Sequence, residues 1–237
     1  MSWKYLESSL KKKRGMKCSW VESYNSNEFI YISIGLLFLY GPSGSGKSTF
    51  VKNFLRECEH HFDKPVDRIV YFYSIWHGVL QELKELRPDI EFVENTFPDS
   101  DFFNQAHNNI VIYDDLIIEL SRSGYLTRLS TKLYTKYNCF VIVLSQILFH
   151  ASEGFKSLTS NATNLVLFKH RRSKQQINIF LRQIGSGNLS SVYHSVTGSL
   201  PFSYLAIDLH PQSIAEFKVY SHMLYCEEKS MVLFDCE

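Results

Sequence analysis

Cysteine is sparse in this chain of 237 residues, and the little there is forms no pattern. Cys18, Cys58, Cys139, Cys226 and Cys236 are scattered, odd in number and without a C-x-x-C pair. That usage argues against a disulfide framework or a zinc site and fits a reducing, intracellular setting. Long apolar runs are missing too. The stretch Phe29 to Leu39 falls well short of the roughly 20 residues of a membrane helix and is interrupted by Gly35, so it reads as buried strand and no membrane contact is expected. No secretion signal is expected either, because Met1 to Lys17 carries Lys11-Lys12-Lys13-Arg14 without an apolar core behind the cluster. The cluster reads as a solvated tail, with a nuclear address as the alternative. Excess charge is also lacking. With a net charge of +1, any contact with nucleic acid must run through local basic clusters and not through a global positive field. There is no internal repeat or low-complexity tract.

What is present suits one α/β domain. An apolar fraction of 45% and a charged fraction of 21% are those of a soluble globular protein, and the length allows one real core with short tails. The pattern alternates strand and helix. Strands are expected at Phe29 to Tyr40, Arg68 to Tyr73, Asn109 to Tyr113, Phe140 to Leu144, Leu165 to Phe168 and Tyr204 to Leu209, with a short extended piece at Ile90 to Val93. Helices are expected at Ser48 to His61, Val79 to Leu86, Leu116 to Tyr137 around Gly124, and Gln175 to Gln183. Continuously apolar strands that alternate with helices imply a mainly parallel sheet covered on both faces, with ligands at the carboxyl ends of the strands. The expected layout is a basic N-terminal tail over 1–27, the α/β domain over 28–213 and a C-terminal extension over 214–237.

The most specific motif is Gly41-Pro42-Ser43-Gly44-Ser45-Gly46-Lys47-Ser48, followed by Thr49, between an apolar strand and a helix. The glycines let successive N–H groups turn inward as an anion nest, and the helix N-terminus adds its positive end. Lys47 reaches the β- and γ-phosphates and Ser48 suits a Mg²⁺ ligand, so ATP with Mg²⁺ is the expected ligand of a P-loop NTPase. A carboxylate is then needed at the end of a buried strand. Asn-Ile-Val-Ile-Tyr leads to Asp114, a metal candidate, and Asp115, placed to polarise water. Asp115 also reads as a helix N-cap, and Glu119 is a weaker candidate for the same work. The strand at Phe140 ends in Ser145-Gln146, where Gln146 suits contact with both the γ-phosphate and the attacking water. By analogy of fold, such a residue marks the additional-strand type, in which an extra strand separates the phosphate strand from the Asp strand. Tyr73 and Trp76 read as loop packing or as an adenine stack, and His60-His61 as helix-end residues with no metal spacing.

From about Phe38 to Ser213 the chain resembles the FtsK/HerA-type DNA-packaging ATPases of large double-stranded DNA viruses and Maverick/Polinton elements. The resemblance is carried by the motifs above, by Ile69-Val70-Tyr71-Phe72-Tyr73, and by Val143 to Phe149. It is carried most of all by the basic block Lys169-His170-Arg171-Arg172-Ser173-Lys174 and the late strand Pro201-Phe202-Ser203-Tyr204-Leu205-Ala206-Ile207-Asp208-Leu209. It implies a homo-oligomeric ring, usually a hexamer, that couples ATP hydrolysis to threading double-stranded DNA into a capsid, in the virion or in the host nucleus or cytoplasm. It also implies an arginine from a neighbour at each site, which Arg172 matches best, with Arg171 and Arg182 as alternatives. The basic block also reads as a solvated loop or a direct phosphate contact. The chain departs from the family in its long apolar lead-in, in lacking a histidine-rich run at Leu133 to Asn138, and in its acidic C-terminus. Two other readings are a nucleotide or small-molecule kinase and a domesticated copy that binds nucleotide without turnover. No kinase lid of arginines is visible, and the intact Lys47, Ser48, Asp114 and Asp115 oppose the second.

Overall fold

The computed structural model describes residues 20–24, 34–62, 64–96, 98, 102–122, 124–185, 188–211, 218–221, 224 and 231–234. The basic cluster at 11–14 and most of the lead-in from Phe29 lie outside them.

Ten strands form one sheet: β1 (Trp20–Tyr24), β2 (Gly35–Tyr40), β3 (Arg68–Tyr73), β4 (Glu91–Glu94), β5 (Asn109–Asp114), β6 (Cys139–Ser145), β7 (Asn164–Phe168), β8 (Tyr204–Asp208), β9 (Lys218–Ser221) and β10 (Met231–Phe234), ordered β1-β10-β9-β8-β7-β2-β6-β5-β3-β4. From β7 to β4 every pairing is parallel. β6 lies between β2 and β5, which is the additional-strand order expected from the sequence.

The apolar alternation along β2 assigns the two faces. Leu37 and Leu39 join a core with Phe50, Val51, Phe54 and Leu55 of α1 (Lys47–Arg56) and Leu80 and Leu83 of α2 (Gly78–Leu86). Leu36, Phe38 and Tyr40 face the other core, built with α3 (Ile117–Arg122), α4 (Tyr125–Arg128), α6 (Glu153–Ser160), α7 (Lys174–Ile184) and α8 (Leu189–Ser199). A short α5 (Tyr134–Lys136) completes the helices named here. Each fully buried Leu or Phe in these cores contributes roughly 1.5–3 kcal/mol by leaving water.

Several boundaries differ from the sequence reading. The helix expected over Leu116 to Tyr137 around Gly124 does divide at that glycine, at φ 67°, and its second part passes through an unanticipated π-helical stretch at Leu129–Leu133. Helix α6, capped by the Ser152 hydroxyl accepting from the Phe155 N–H, was not anticipated, and neither was α8. In α8 the apolar Leu189, Val192, Tyr193 and Val196 keep helical spacing, but Ser190, Ser191 and Ser195 between them and Thr197 and Gly198 after them carry poor helix propensity and mask it.

That second helix sets the direction of the last strands. The chain leaves the carboxyl end of β7, passes through two helices and so returns to the same end. β8 must then run antiparallel, with Tyr204 opposite Phe168. β9, β10 and β1 continue antiparallel, so the sheet extends past both boundaries expected at 28 and 213. The turn at Pro201 and Phe202 is thereby delivered to the carboxyl end of β7, beside the loop that follows β2.

Candidate phosphate-binding site

Residues 41–46 link the end of β2 to α1 as a tight loop. Its start is pinned by the Gly41 N–H donating to the Ser145 carbonyl at 3.1 Å, and Ser45 N–H closes a turn on the Pro42 carbonyl at 3.2 Å. Gly41 admits no side chain, since a Cβ would stand 2.5 Å from Ser45 Oγ and 2.8 Å from Phe168 Cβ. Gly46, at φ 102°, takes the left-handed step into the helix that other residues resist.

Lys47 opens α1 and is only 6% exposed. Its ammonium donates to the carbonyls of Gly41 at 2.7 Å and Pro42 at 3.2 Å, and it makes no salt bridge among the described residues. Burial lowers its pKa, against the smaller opposing pull of Asp115 and Asp114. The Ser45 hydroxyl is likewise buried with no partner among the described residues. A buried cation, an orphan hydroxyl and a helix N-terminus at one loop form a cradle that an anion would complete.

The acid wall stands at the ends of β5 and β6. Asp114, 5% exposed, accepts on Oδ2 from the Tyr71 hydroxyl at 2.8 Å and the Ser48 hydroxyl at 3.4 Å, with His77 Nε2 at 3.5 Å. Burial, with the added pressure of the adjacent carboxylate, raises the Tyr71 pKa far above its ordinary value, so this tyrosine stays a donor. Hydrogen bonding to Asp114 raises that of His77. Asp115 is exposed at φ 54°, a conformation that Asp tolerates better than most side chains. It accepts from Gln146 Nε2 at 2.9 Å, and Gln146 Oε1 accepts from the Ser43 hydroxyl at 3.0 Å. This chain of bonds ties the loop to the strand ends. Among the described residues Asp115 caps no helix N–H, so its side chain is committed to Gln146. Glu119 lies exposed on α3 and makes none of these bonds.

A basic wall borders the same loop. Lys169, His170, Arg171 and Arg172 line a cavity of about 450 Å³ with Pro42, Ser43, Gly44, Ser45 and Phe202. The loop is held by Tyr193 of α8, whose hydroxyl donates to the Phe168 carbonyl and accepts from the His170 N–H, and by the His170 ring stacked on Tyr40 at 5.6 Å. Burial and the nearby charges of Arg172 and Lys47 lower the His170 pKa. Arg172, which the resemblance gives to a neighbour's site, stands on the rim of its own chain's cavity. Arg182 sits in the last turn of α7 and lines neither of the cavities described here.

A second cavity of about 310 Å³ adjoins the first and shares Gly44 and Phe202 with it. Thr49 lines it. Tyr73 and Trp76 line neither cavity. Trp76 packs edge-on against Tyr73 and Phe92, with Lys84 Nζ 5.7 Å from its ring centre. His61 stacks on Phe54, the side chain of His60 lies outside the described residues, and no cluster of three metal-ligating side chains occurs among them. Sequence reasoning missed Tyr71, His77 and Phe202. For Tyr71 the signal was available: a tyrosine amid a buried apolar strand needs a partner for its hydroxyl.

No protein-family model matches the chain, and no curated protein matches it in sequence. Solved structures do. The genome packaging NTPase B204 from Sulfolobus turreted icosahedral virus 2, in complex with AMPPCP, superposes with a TM-score of 0.53 at 12% identity, over 79% of this chain and 97% of that one. The same protein in complex with sulfate gives 0.51 at 14% identity, over 79% and 96%. B204 from Sulfolobus turreted icosahedral virus, a DNA-packaging ATPase, gives 0.51 at 11% identity, over 78% and 96%. This chain has the P-loop NTPase fold. In it β6 stands between β2 and β5 as the additional strand. Among the described residues no helix is long and apolar enough to cross a membrane.

Proposed function

We propose that this chain is an ATPase that uses hydrolysis of ATP to move double-stranded DNA, as one subunit of a homo-oligomeric, hexameric ring that packages a genome into a capsid. The observation that carries the ATPase reading is the buried Lys47 ammonium. Among the described residues it donates hydrogen bonds only to loop carbonyls, beside an unpartnered Ser45 hydroxyl, at the start of a helix. A polyphosphate supplies the missing negative charge. Gly41 to Thr49 then cradle the phosphates, with N–H groups supplied from beyond Pro42, and Lys47 turns from the carbonyls to the β- and γ-phosphates.

Ser48 and Asp114, with their side-chain oxygens already 3.4 Å apart, would hold Mg²⁺. When bound, the ion neutralises charge developing on the phosphate oxygens. Asp115, a carboxylate held by Gln146, polarises the attacking water, and Gln146 reads the γ-phosphate while linked to Ser43. Arg171 and Arg172 line the same cavity as Ser43 to Ser45, which supports contact with phosphates bound in their own chain. The motor reading draws on the fold shared with the viral packaging NTPases and on the basic block after β7.

Measuring phosphate release from ATP with and without long duplex DNA tests the proposal. Release stimulated by DNA supports it. Release indifferent to DNA, or transfer of the γ-phosphate to a nucleoside monophosphate in place of water, overturns the motor.

A further inference from the structure

The phosphate cavity accounts for one end of a nucleotide, and the cavity beside it has had no role so far. Its walls are aromatic: Phe50 of α1, Phe168 at the end of β7, Tyr204 at the start of β8 and Phe202 in the turn before it. Its polar side is a single helical edge, Thr49 and Asn53, four residues apart and therefore on the same face of α1. Thr49 opens that edge directly behind the phosphate loop. A ligand whose phosphates fill the loop continues along it into the second cavity. Gly44 and Phe202 line both cavities, so one molecule can span them.

Phe202 is built unlike a packing residue. Its ring is 66% exposed, and its backbone is held at φ 60°, a left-handed conformation that a bulky side chain rarely adopts without compensation. The strained turn is set by the antiparallel return of β8. It keeps the ring over Gly46, where a Cβ would meet Phe202 atoms at 3.5 and 3.6 Å. Asn53 is half-buried, and its carboxamide makes no hydrogen bond among the described residues. At about 310 Å³ the cavity reaches the range of small-molecule sites, roughly 300–1,000 Å³. The rival aromatic pair, Tyr73 and Trp76, is engaged elsewhere and lines neither cavity.

We infer that the second cavity receives the nucleobase of the bound nucleotide, stacked on Phe202, with Asn53 contacting the edge of the ring. The inference rests on the P-loop reading of the first cavity. An adenine edge presents a donor and an acceptor side by side, and a carboxamide matches that pair with its own acceptor and donor.

The test is calorimetric titration of the full chain with ATP and with inorganic tripolyphosphate, which has the phosphates and no base. Phe202→Gly is the main variant, because glycine accepts the left-handed backbone and removes only the ring. Phe202→Gly is expected to weaken ATP binding about 5- to 100-fold, the usual span for one base stacked on an aromatic ring, and to weaken tripolyphosphate binding by a much smaller factor, since Phe202 also lines the first cavity. Asn53→Ala, at a position that lines the second cavity and not the first, weakens ATP by a smaller factor than Phe202→Gly and leaves tripolyphosphate binding unchanged. Equal losses for both ligands, unchanged ATP affinity in both variants, or a wild-type chain that binds ATP no more tightly than tripolyphosphate would each overturn the inference. Tripolyphosphate binding that survives Lys47→Ala counts against the P-loop reading instead, so the two failures are told apart.

Discussion

The acid wall tied to the loop after β2 and the basic wall of the cavity beside that loop are built in opposite ways. The acid wall is finished within the chain: Asp114 is buried under Tyr71, Ser48 and His77, and Asp115 is tied through Gln146 to Ser43. The basic wall is left open. Arg171 and Arg172 are exposed, and among the described residues neither forms an ion pair. Groups that must be positioned before reaction are fixed by strand ends, where the sheet determines each Cα. Groups that answer to charge on the ligand are carried on a loop whose backbone alone is anchored, by Tyr193 and by the stack of His170 on Tyr40. On the proposed function, the side assigned to water and metal is thus pre-organised, and the side assigned to phosphate is responsive.

The comparison breaks first at Arg172. Arg172→Ala should lower ATP hydrolysis by about 10³-fold or more, the scale of a lost arginine at a transferring phosphate. Mixing the variant with Lys47→Ala chains then locates the residue. If Arg172 serves its own chain, as the cavity lining supports, the mixed assembly stays inactive. Recovered activity in the mixture would assign it to a neighbour's site.

A smaller effect is expected on the other wall. Asp115→Asn keeps a side chain that tolerates the left-handed backbone and removes only the charge. Hydrolysis should fall about 10²- to 10³-fold, in line with loss of a positioned base, while ATP affinity in the same preparation stays near wild type. Unchanged turnover would hand the role to another group.

Tyr71→Phe sharpens the claim of pre-organisation with the least disturbance. It deletes the 2.8 Å hydrogen bond to Asp114 and should cost about 1.5–3 kcal/mol in urea unfolding, with the cooperativity of the transition preserved. Stability equal to wild type would mean that Asp114 is held without it.

Much of this site can be read in the sequence because its parts are local. The P-loop is contiguous, and Asp114 and Gln146 each end an uninterrupted apolar run, so buried strands could be inferred with their carboxyl ends as the place of chemistry. What stayed hidden depends on how separate segments meet. Nothing in the residues around Ser43 and Gln146 announces that they bond across 103 positions. The antiparallel turn of β8 follows from the number of helices after β7, and the second of these was concealed by its serines and threonines. With the strand at Tyr204 expected but its direction unread, Phe202 read as part of a family motif and not as a wall of a cavity. Strands β1, β9 and β10 were missed because short amphipathic stretches near the chain ends look like tails until the sheet edge they cover is known.

The most direct test of the account is phosphate release from ATP by the full chain compared with Lys47→Ala, in the presence of long duplex DNA. The account predicts steady release by the wild type and none above background by the variant, with both chains folded by circular dichroism. Release by Lys47→Ala at the wild-type rate would contradict it.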